Sequence, residues 1–483
     1  MKEKNLKINA VLNLIKTISS IIFPLITFPY VSRVLMPENI GKINFASSFV
    51  SYFTLIASLG ITTYAIRECS ARRENKEDLL KTASQIFSIN VYTTIVAYIL
   101  MAFTLLFFKE FDEYSTLIII QSTAILFTTL GCDWLNTAME DFSFITIRTI
   151  AFQIISLILM FSFVHNPNDY IKYAAITVLS SSGANIVNVV YRKKYCDVKF
   201  VRQIAFKKHF KPIMLLFVMI LAQTIFNSSD ITMLGLMKGD YEVGLYSSAV
   251  KMSNLVSQVV ASLVWVVMPR MSLYFAEENY KKINEMLKKT FNLLMTIGLP
   301  CAVGCICLSK EIVLIIAGNQ YIDAAPILVI LIIGFVFSLV GGSFLGNMVL
   351  LPSKREGDYM LICSIATVVN LIMNYFMIPV YGVNAAAGTT AFSSLLIMVL
   401  LIIFKDKRIK IDYIGKCMYA PTIGCILIVV LCLAIKFIVG GVVLQTALCF
   451  FGSVVAYLIV QVVLKNEMVS EMTSLLAKKL RRK

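Results

Sequence analysis

The chain has 483 residues, of which 58% are hydrophobic and 15% charged, where an average soluble domain carries about 25% charge. Apolar stretches follow one another with no polar segment longer than about 20 residues between them, which leaves no room for a folded catalytic or nucleic-acid-binding domain outside a membrane. The formal charge of +16, from 44 Lys and Arg against 28 Asp and Glu, therefore has to be explained by a bilayer.

A helix needs about 20 apolar residues to cross the hydrocarbon core. The sequence predicts fourteen spans, near 8–35, 43–66, 83–108, 115–137, 146–164, 171–191, 212–236, 244–268, 289–308, 324–351, 359–379, 385–404, 414–437 and 440–464, and so an all-α polytopic membrane protein. Ser, Thr and Asn dilute the fourth and sixth. Pro24 and Pro29 remove two backbone donors within the first span and predict a kinked or segmented helix. Leu6 onward has the apolar character of a signal peptide, but Lys16 interrupts it and no small-residue cleavage site follows, so it is read as the first span.

Basic residues set the orientation. With the N-terminus inside, the tails and the loops after even-numbered spans hold 34 of the 44, and the opposite loops hold six: Lys42, Lys109, Lys172, Lys238, Lys310 and Lys436. Both termini are expected in the cytoplasm, and the charge is positive-inside bias with no nucleic-acid partner implied. The segment Arg192–Lys211, with eight basic residues and one acid, reads as a linker held by anionic headgroups. The 11 cysteines sit mostly in apolar runs without a Cys-x-x-Cys pair, and His165 and His209 are too few and too far apart for a metal site. No cofactor is expected.

An offset of 203 residues lays spans one and two over spans seven and eight: Phe23 on Phe226, Gly41 on Gly244, Ala46 on Ala249 and Arg67 on Arg270. Six spans separate the copies, so both point the same way, which is the parallel kind of repeat with a transport site between lobes. The lobes are expected at 1–200 (spans 1–6) and 201–410 (spans 7–12), with 411–483 adding spans 13–14 and a basic tail. Polar residues follow helix faces: Asn13, Lys16, Ser20, Pro24 and Thr27 in span one; Asn44, Ser48 and Ser51 in span two; Gln223, Asn227 and Asp230 in span seven; Ser247, Lys251, Asn254, Gln258 and Ser262 in span eight. Lipid does not tolerate such stripes, so they face protein or a hydrated cavity. A Lys and an Asp among them favour a cavity lined by Asn13, Ser20, Asn44, Ser48, Gln223, Asn227, Asn254 and Gln258.

The residues 23–41, Phe-Pro-Leu-Ile-Thr-Phe-Pro-Tyr-Val-Ser-Arg-Val-Leu and then Pro37-Glu38-Asn39-Ile40-Gly41, with Leu59-Gly60-Ile61 and Tyr64-Ala65-Ile66-Arg67-Glu68, closely resemble the N-terminal signature of Wzx-type polysaccharide flippases of the multidrug/oligosaccharidyl-lipid/polysaccharide exporter superfamily. Asp133-Trp134, Glu140-Asp141-Phe142 and Ile145-Thr146-Ile147-Arg148 form a second block. Asp230, Met233-Leu234-Gly235 and Val243-Gly244-Leu245-Tyr246 form a third, and Asn370, Asn374, Ile378-Pro379, Tyr381-Gly382 and Ala385-Ala386 a fourth. The resemblance runs from about residue 8 to 400. Met36 and Ala138 stand where the family more often has glycine, and Ser393 stands where an acid is common, which tells against a coupling role there.

The resemblance implies a flippase, not an enzyme. Its substrate would be an undecaprenyl-diphosphate-linked oligosaccharide repeat unit for capsule or O-antigen, moved by alternating access between two six-helix lobes. Its partners would be that substrate, membrane lipids, a polysaccharide polymerase and glycosyltransferases. Arg67 and Arg270, at equivalent cytoplasmic span ends, would grip the diphosphate, Lys16 and Lys251 would receive it deeper in, and Arg33 stands at the outer end of span one, where snorkelling explains it equally. Asp230 and Lys251 lie at similar depth on consecutive spans and would pair, or Asp230 would couple transport to H+ or Na+; Asp133 and Arg148 make a similar pair of structural character. A multidrug exporter of the same superfamily is the runner-up, and a polytopic polysaccharide polymerase or ligase a more distant reading.

Overall fold

A computed structural model describes residues 6–410 and 412–470, and every regular element among them is helical. The chain divides into two compact units, Met1–Gly244 and Leu245–Lys483. The first holds α1 (Leu6–Ser58), α2 (Ile61–Ser70), α3 (Lys76–Phe107), α4 (Ser115–Gly131), α5 (Asp133–Ala138), α6 (Phe142–Phe163), α7 (Tyr170–Val178) and α8 (Ala184–Tyr191), the last two joined by a π-helical turn at Leu179–Gly183, then α9 (Phe206–Met237) and the first turn of α10 (Asp240–Ala276). The seventh span of the sequence thus packs within the first unit.

Twelve helices among the described residues are long and apolar enough to cross a membrane, and α10, bent by 43° after Val264, makes a thirteenth. Pro269 cannot donate to the carbonyl four residues earlier, at the bend. The first of the twelve, Ile15–Ser70, runs for 56 residues, far beyond the ~30 Å hydrocarbon core at about 1.5 Å per residue. It leaves helical geometry at Met36 (φ 66, ψ 166), between the spans expected at 8–35 and 43–66. Pro24 and Pro29 lie inside helix, and the break falls instead ahead of Pro37, whose ring disfavours helical geometry in the residue before it. A second break, at Leu59 and Gly60, both at positive φ, separates α2 from the span expected at 43–66. A third at Cys132 (φ 51) splits off α5 from the span expected at 115–137.

Within the first unit α1 packs on α3, α4, α6 and α9. The approach of α1 to the α9–α10 hairpin is backbone to backbone. A Cβ on Gly41 would lie 1.8 Å from the carbonyl oxygen of Asp240, and one on Gly244 would lie 2.0 Å from that of Pro37. Alongside, Ser48 Oγ donates to the Ser228 carbonyl at 2.8 Å, Ser51 Oγ to Ser228 Oγ at 3.0 Å, and Tyr52 lies 3.0 Å from Thr232 Oγ1.

The second unit contains most of α10, α11 (Tyr280–Cys307), α12 (Ser309–Ile316), α13 (Ala324–Ser338, continued by a π-helix at Leu339–Leu350), α14 (Glu356–Tyr381), α15 (Val383–Phe404), α16 (Ile414–Ile438) and α17 (Val442–Val463). α15 packs on α13 and α14, and α16 on α11 and α17. Buried polar groups fasten α17 to α11 and α16: Tyr457 donates to the Thr296 carbonyl of α11 at 2.8 Å and Gln461 to the Ala420 carbonyl of α16 at 2.9 Å.

Two substitutions should move thermal stability in opposite directions. Gly41→Ala places a methyl inside a backbone contact and should cost ~1–3 kcal/mol. Met36→Gly relieves a conformation essentially reserved for glycine, worth ~1–3 kcal/mol, against ~0.5–1 kcal/mol of added chain entropy. Thermal unfolding of purified protein in detergent should therefore give a lower midpoint for the first and a higher one for the second.

Candidate functional site

In the first unit Lys16 is half-buried on α1 and Ser20 is exposed, its hydroxyl donating to the Thr17 carbonyl at 2.7 Å. Gln223 and Asn227 are exposed on α9, while Asp230 is 4% exposed. Asn44 is half-buried, and Ser48 is buried and occupied in the α1–α9 seam. The side chain of Asn13 lies outside the described residues. Arg33 is exposed and donates to the Pro29 carbonyl at 3.0 Å. Arg67 is exposed on α2, its guanidinium 5.5 Å from the centre of the Tyr64 ring and Nε 3.6 Å from Glu68.

In the second unit Lys251 is half-buried and Asn254, Gln258 and Arg270 are exposed, all on α10. The other face of the same helix, at Met252, Leu255 and Val256, lines a cleft of about 730 Å³ walled by Pro300 and Cys305 of α11 and Phe450 of α17, almost wholly apolar.

The structure brings Asp133 and Arg148 together. Arg148, 6% exposed, donates to Asp133 Oδ1 and to the Ala184 carbonyl at 3.4 Å, and its guanidinium lies 5.4 Å from the centre of the Phe144 ring. Beside it Asn136 donates to Asn188 Oδ1 and Asn188 to the Gly131 carbonyl, each at 2.6 Å. The group joins α4, α5, α6 and α8 where α4 gives way to α5.

Several buried polar groups escaped the sequence reading. Arg192, counted there as positive-inside charge, is 7% exposed; it donates to Cys132 Sγ at 2.6 Å and lies 5.0 Å from the centre of the Phe87 ring. Burial pushes the neighbouring Cys196 thiol up to about 11. Asp141 accepts from Tyr191 at 2.8 Å and from Tyr195, whose phenol is held above its usual range by burial and then by that carboxylate. His209 is fully buried between Tyr64 and Gln85. In the second unit Asn374 donates to Asn370 Oδ1 at 3.2 Å, Thr389 to Asn374 and Ser393 to the Thr389 carbonyl at 2.8 Å, all four residues at 0% exposure. The four-residue spacing of Asn370 and Asn374 was the available signal. Among the described residues no His, Cys, Asp and Glu group could hold a metal ion.

Long apolar helices with polar faces inside the spans define a multi-pass membrane protein. The chain matches the family described as polysaccharide biosynthesis protein over residues 6–275, more than half its length, and belongs to it; residues 216–376 also match the MatE family. It is thus a flippase-like member of the multidrug/oligosaccharidyl-lipid/polysaccharide exporter superfamily. A protein of Escherichia coli (strain K12), provisionally named an O-antigen transporter, is 20% identical over 80% of this chain and 93% of its own. The capsular polysaccharide biosynthesis protein CapF of Staphylococcus aureus is 22% identical over 76% of this chain and 91% of its own. In fold, the chain is similar to the lipid II flippase MurJ in an inward closed conformation, with a TM-score of 0.74 and 15% identity over 96% of this chain and 99% of that one.

Asp133→Asn should leave the buried Arg148 guanidinium without its counter-charge. We expect a loss of ~3 kcal/mol, the low end for a broken buried pair because Asp133 is 39% exposed. The double variant Asp133→Asn/Arg148→Met should be the more stable of the two. Thermal unfolding and yield from membranes measure both; a double variant no better than the single would show that the pair does not act as a unit.

Proposed function

We propose that the protein moves undecaprenyl-diphosphate-linked oligosaccharide repeat units from the inner to the outer leaflet of a bacterial plasma membrane, for capsule, O-antigen or a similar surface polysaccharide. The observation that carries this reading is the double character of α10. Met252, Leu255 and Val256 border an apolar cleft, while Lys251, Asn254 and Gln258 occupy other positions of the same turns. A substrate with a long hydrocarbon tail and a charged, hydroxyl-rich head calls for such a helix. The exposed Ser20, Gln223 and Asn227 add polar surface within the spans of the first unit, where contact with lipid would be costly and water is the natural neighbour. The names of the E. coli and S. aureus relatives favour a polysaccharide precursor.

On this reading Arg67 and Arg270 grip the diphosphate from equivalent positions of the two repeats, since the guanidinium fork matches phosphate oxygens. Lys16 and Lys251 then receive it at depth, and Arg33 meets it at the outer end. Asp230 is either the partner of Lys251 or the titratable group that couples transport to H+ or Na+. Multidrug export is the second reading, favoured by the MatE match; drug efflux from cells expressing the protein would support it.

The topology that goes with the proposal has both termini and the Arg192–Lys211 segment in the cytoplasm. An impermeant thiol reagent applied to intact cells should reach a cysteine introduced at Asn168 and miss those at Arg202 and Lys478. Labelling at Arg202 would overturn the orientation.

Surface polysaccharide in a deletion strain, complemented by each variant, tests the residues. Arg67→Ala and Arg270→Ala should each weaken export at near-normal protein levels, and the double variant should be almost inactive. Full surface polysaccharide from the double variant would refute the paired grip. Asp230→Asn/Lys251→Met should recover the folding yield lost in either single variant. Transport driven by imposed proton or sodium gradients in vesicles should recover with it if the pair is structural, and should stay absent if Asp230 couples.

A further inference from the structure

Away from the stripes, the first unit has a second cavity, of about 780 Å³, between the start of α3 and the irregular segment 201–205 that leads into α9. It is lined by Lys81 and Gln85 of α3 and by Arg202 and Gln203 of the segment. Lys81 and Arg202 are exposed, and among the described residues neither lies within ion-pair distance of a carboxylate. The nearest acids on α3 are otherwise placed, Asp78 accepting from Asn75 at 2.9 Å.

The cavity is a built one. The segment is tied to α3 where the Val201 amide donates to Ser88 Oγ at 2.7 Å and the Lys199 amide to Ser84 Oγ at 3.2 Å. Gln85 is fixed from behind: its Oε1 is 2.9 Å from Nε2 of the fully buried His209, whose Nδ1 is 2.8 Å from the Tyr64 hydroxyl. Gln85 Oε1 faces the His209 ring, so the Gln85 amide NH2 is left to donate elsewhere, and Gln85 lines the cavity. Exposed aromatic rings flank the site: Tyr92 and Phe200 lie 5.4 Å apart, Phe206 and Phe210 5.0 Å apart, and all four are about half exposed. Aromatic side chains of this kind mark the level of the lipid headgroups.

We infer that this cavity binds the phosphate of an anionic phospholipid headgroup, with Lys81 and Arg202 neutralising it and Gln85 and Gln203 donating hydrogen bonds. The site is separate from the stripes proposed for the transported substrate and does not depend on what that substrate is. Its occupant would clamp the segment between α8 and α9 to α3. It would also bear, through Gln85, His209 and Tyr64, on the helix that carries Arg67.

The test uses full-length protein and needs no transport. Native mass spectrometry with phosphatidylglycerol, against phosphatidylcholine, should show preferential retention of the anionic lipid. Lys81→Gln/Arg202→Gln should lower that retention by about tenfold or more, since each basic residue near anionic lipid contributes measurably. The control Lys193→Gln/Lys207→Gln, which removes the same charge from outside the cavity, should retain it. Equal retention by wild type and Lys81→Gln/Arg202→Gln, or equal loss in the control, would overturn the proposal. So would thermal protection by inorganic phosphate without preference for phosphatidylglycerol, which would put a soluble anion there.

Discussion

Within the first unit, α1 meets the α9–α10 hairpin at a pair of glycines, and the packing there is arranged around that contact. Gly41 faces the Asp240 carbonyl and Gly244 faces the Pro37 carbonyl. The offset of 203 residues that equates Gly41 with Gly244 also equates Pro37 with Asp240, so the two contacts are images of one another. Helices in a membrane gain little from hydrophobic exclusion and associate through close packing, which small residues permit. Here the closeness is what lets Ser48, Ser51 and Tyr52 on α1 reach Ser228 and Thr232 on α9. Part of the polar face of span two is thereby used for cohesion and withdrawn from any cavity.

Charge inside the first unit is managed by a second device. Arg148 and Arg192 are both almost fully buried, and each sets its guanidinium beside an aromatic ring while donating to a neighbouring group. A delocalised cation tolerates such surroundings better than a compact ammonium. Both fix the region where α4 ends at Cys132 and α5 begins, so the two arginines hold a helix break that a left-handed residue opened.

The spans were legible because hydropathy is a long-range average, and long apolar runs survive errors of a few residues at each end. The breaks at Met36, Leu59 and Cys132 were not, because a positive φ at a non-glycine residue leaves no trace in composition. Only the resemblance hinted at one of them, by showing that glycine is commoner at position 36. The repeat offset found the glycines but not what each one touches. Arg192 was misleading for a different reason. In a strongly basic segment it looks like a charge facing headgroups, whereas its burial comes against Phe87 of α3 and Cys132 at the end of α4, which are distant in sequence. For Gln223, Asn227, Asn254 and Gln258 the stripes favoured a hydrated cavity over protein contact, because a Lys and an Asp share those faces, and the four side chains are exposed on α9 and α10.

The work of moving a lipid-linked anion falls mostly on its head. A hydrocarbon tail that stays in an apolar cleft or among lipids changes its surroundings little, and so contributes little to the barrier. A diphosphate stripped of water without compensation would contribute far more. On the proposed reading, the pieces that answer this lie on α10, where Met252 of the cleft directly follows Lys251. A helix whose neighbouring positions serve the tail and the head keeps the two ends of one substrate in register. The 43° bend after Val264 sits between those positions and Arg270. A change in that bend would alter the distance between Arg270 at the span end and Lys251. If Arg270 and Lys251 handle the head as proposed, bending at Pro269, in place of sliding the whole helix, would be the simplest motion to pass it between them while leaving the cleft beside Met252 intact.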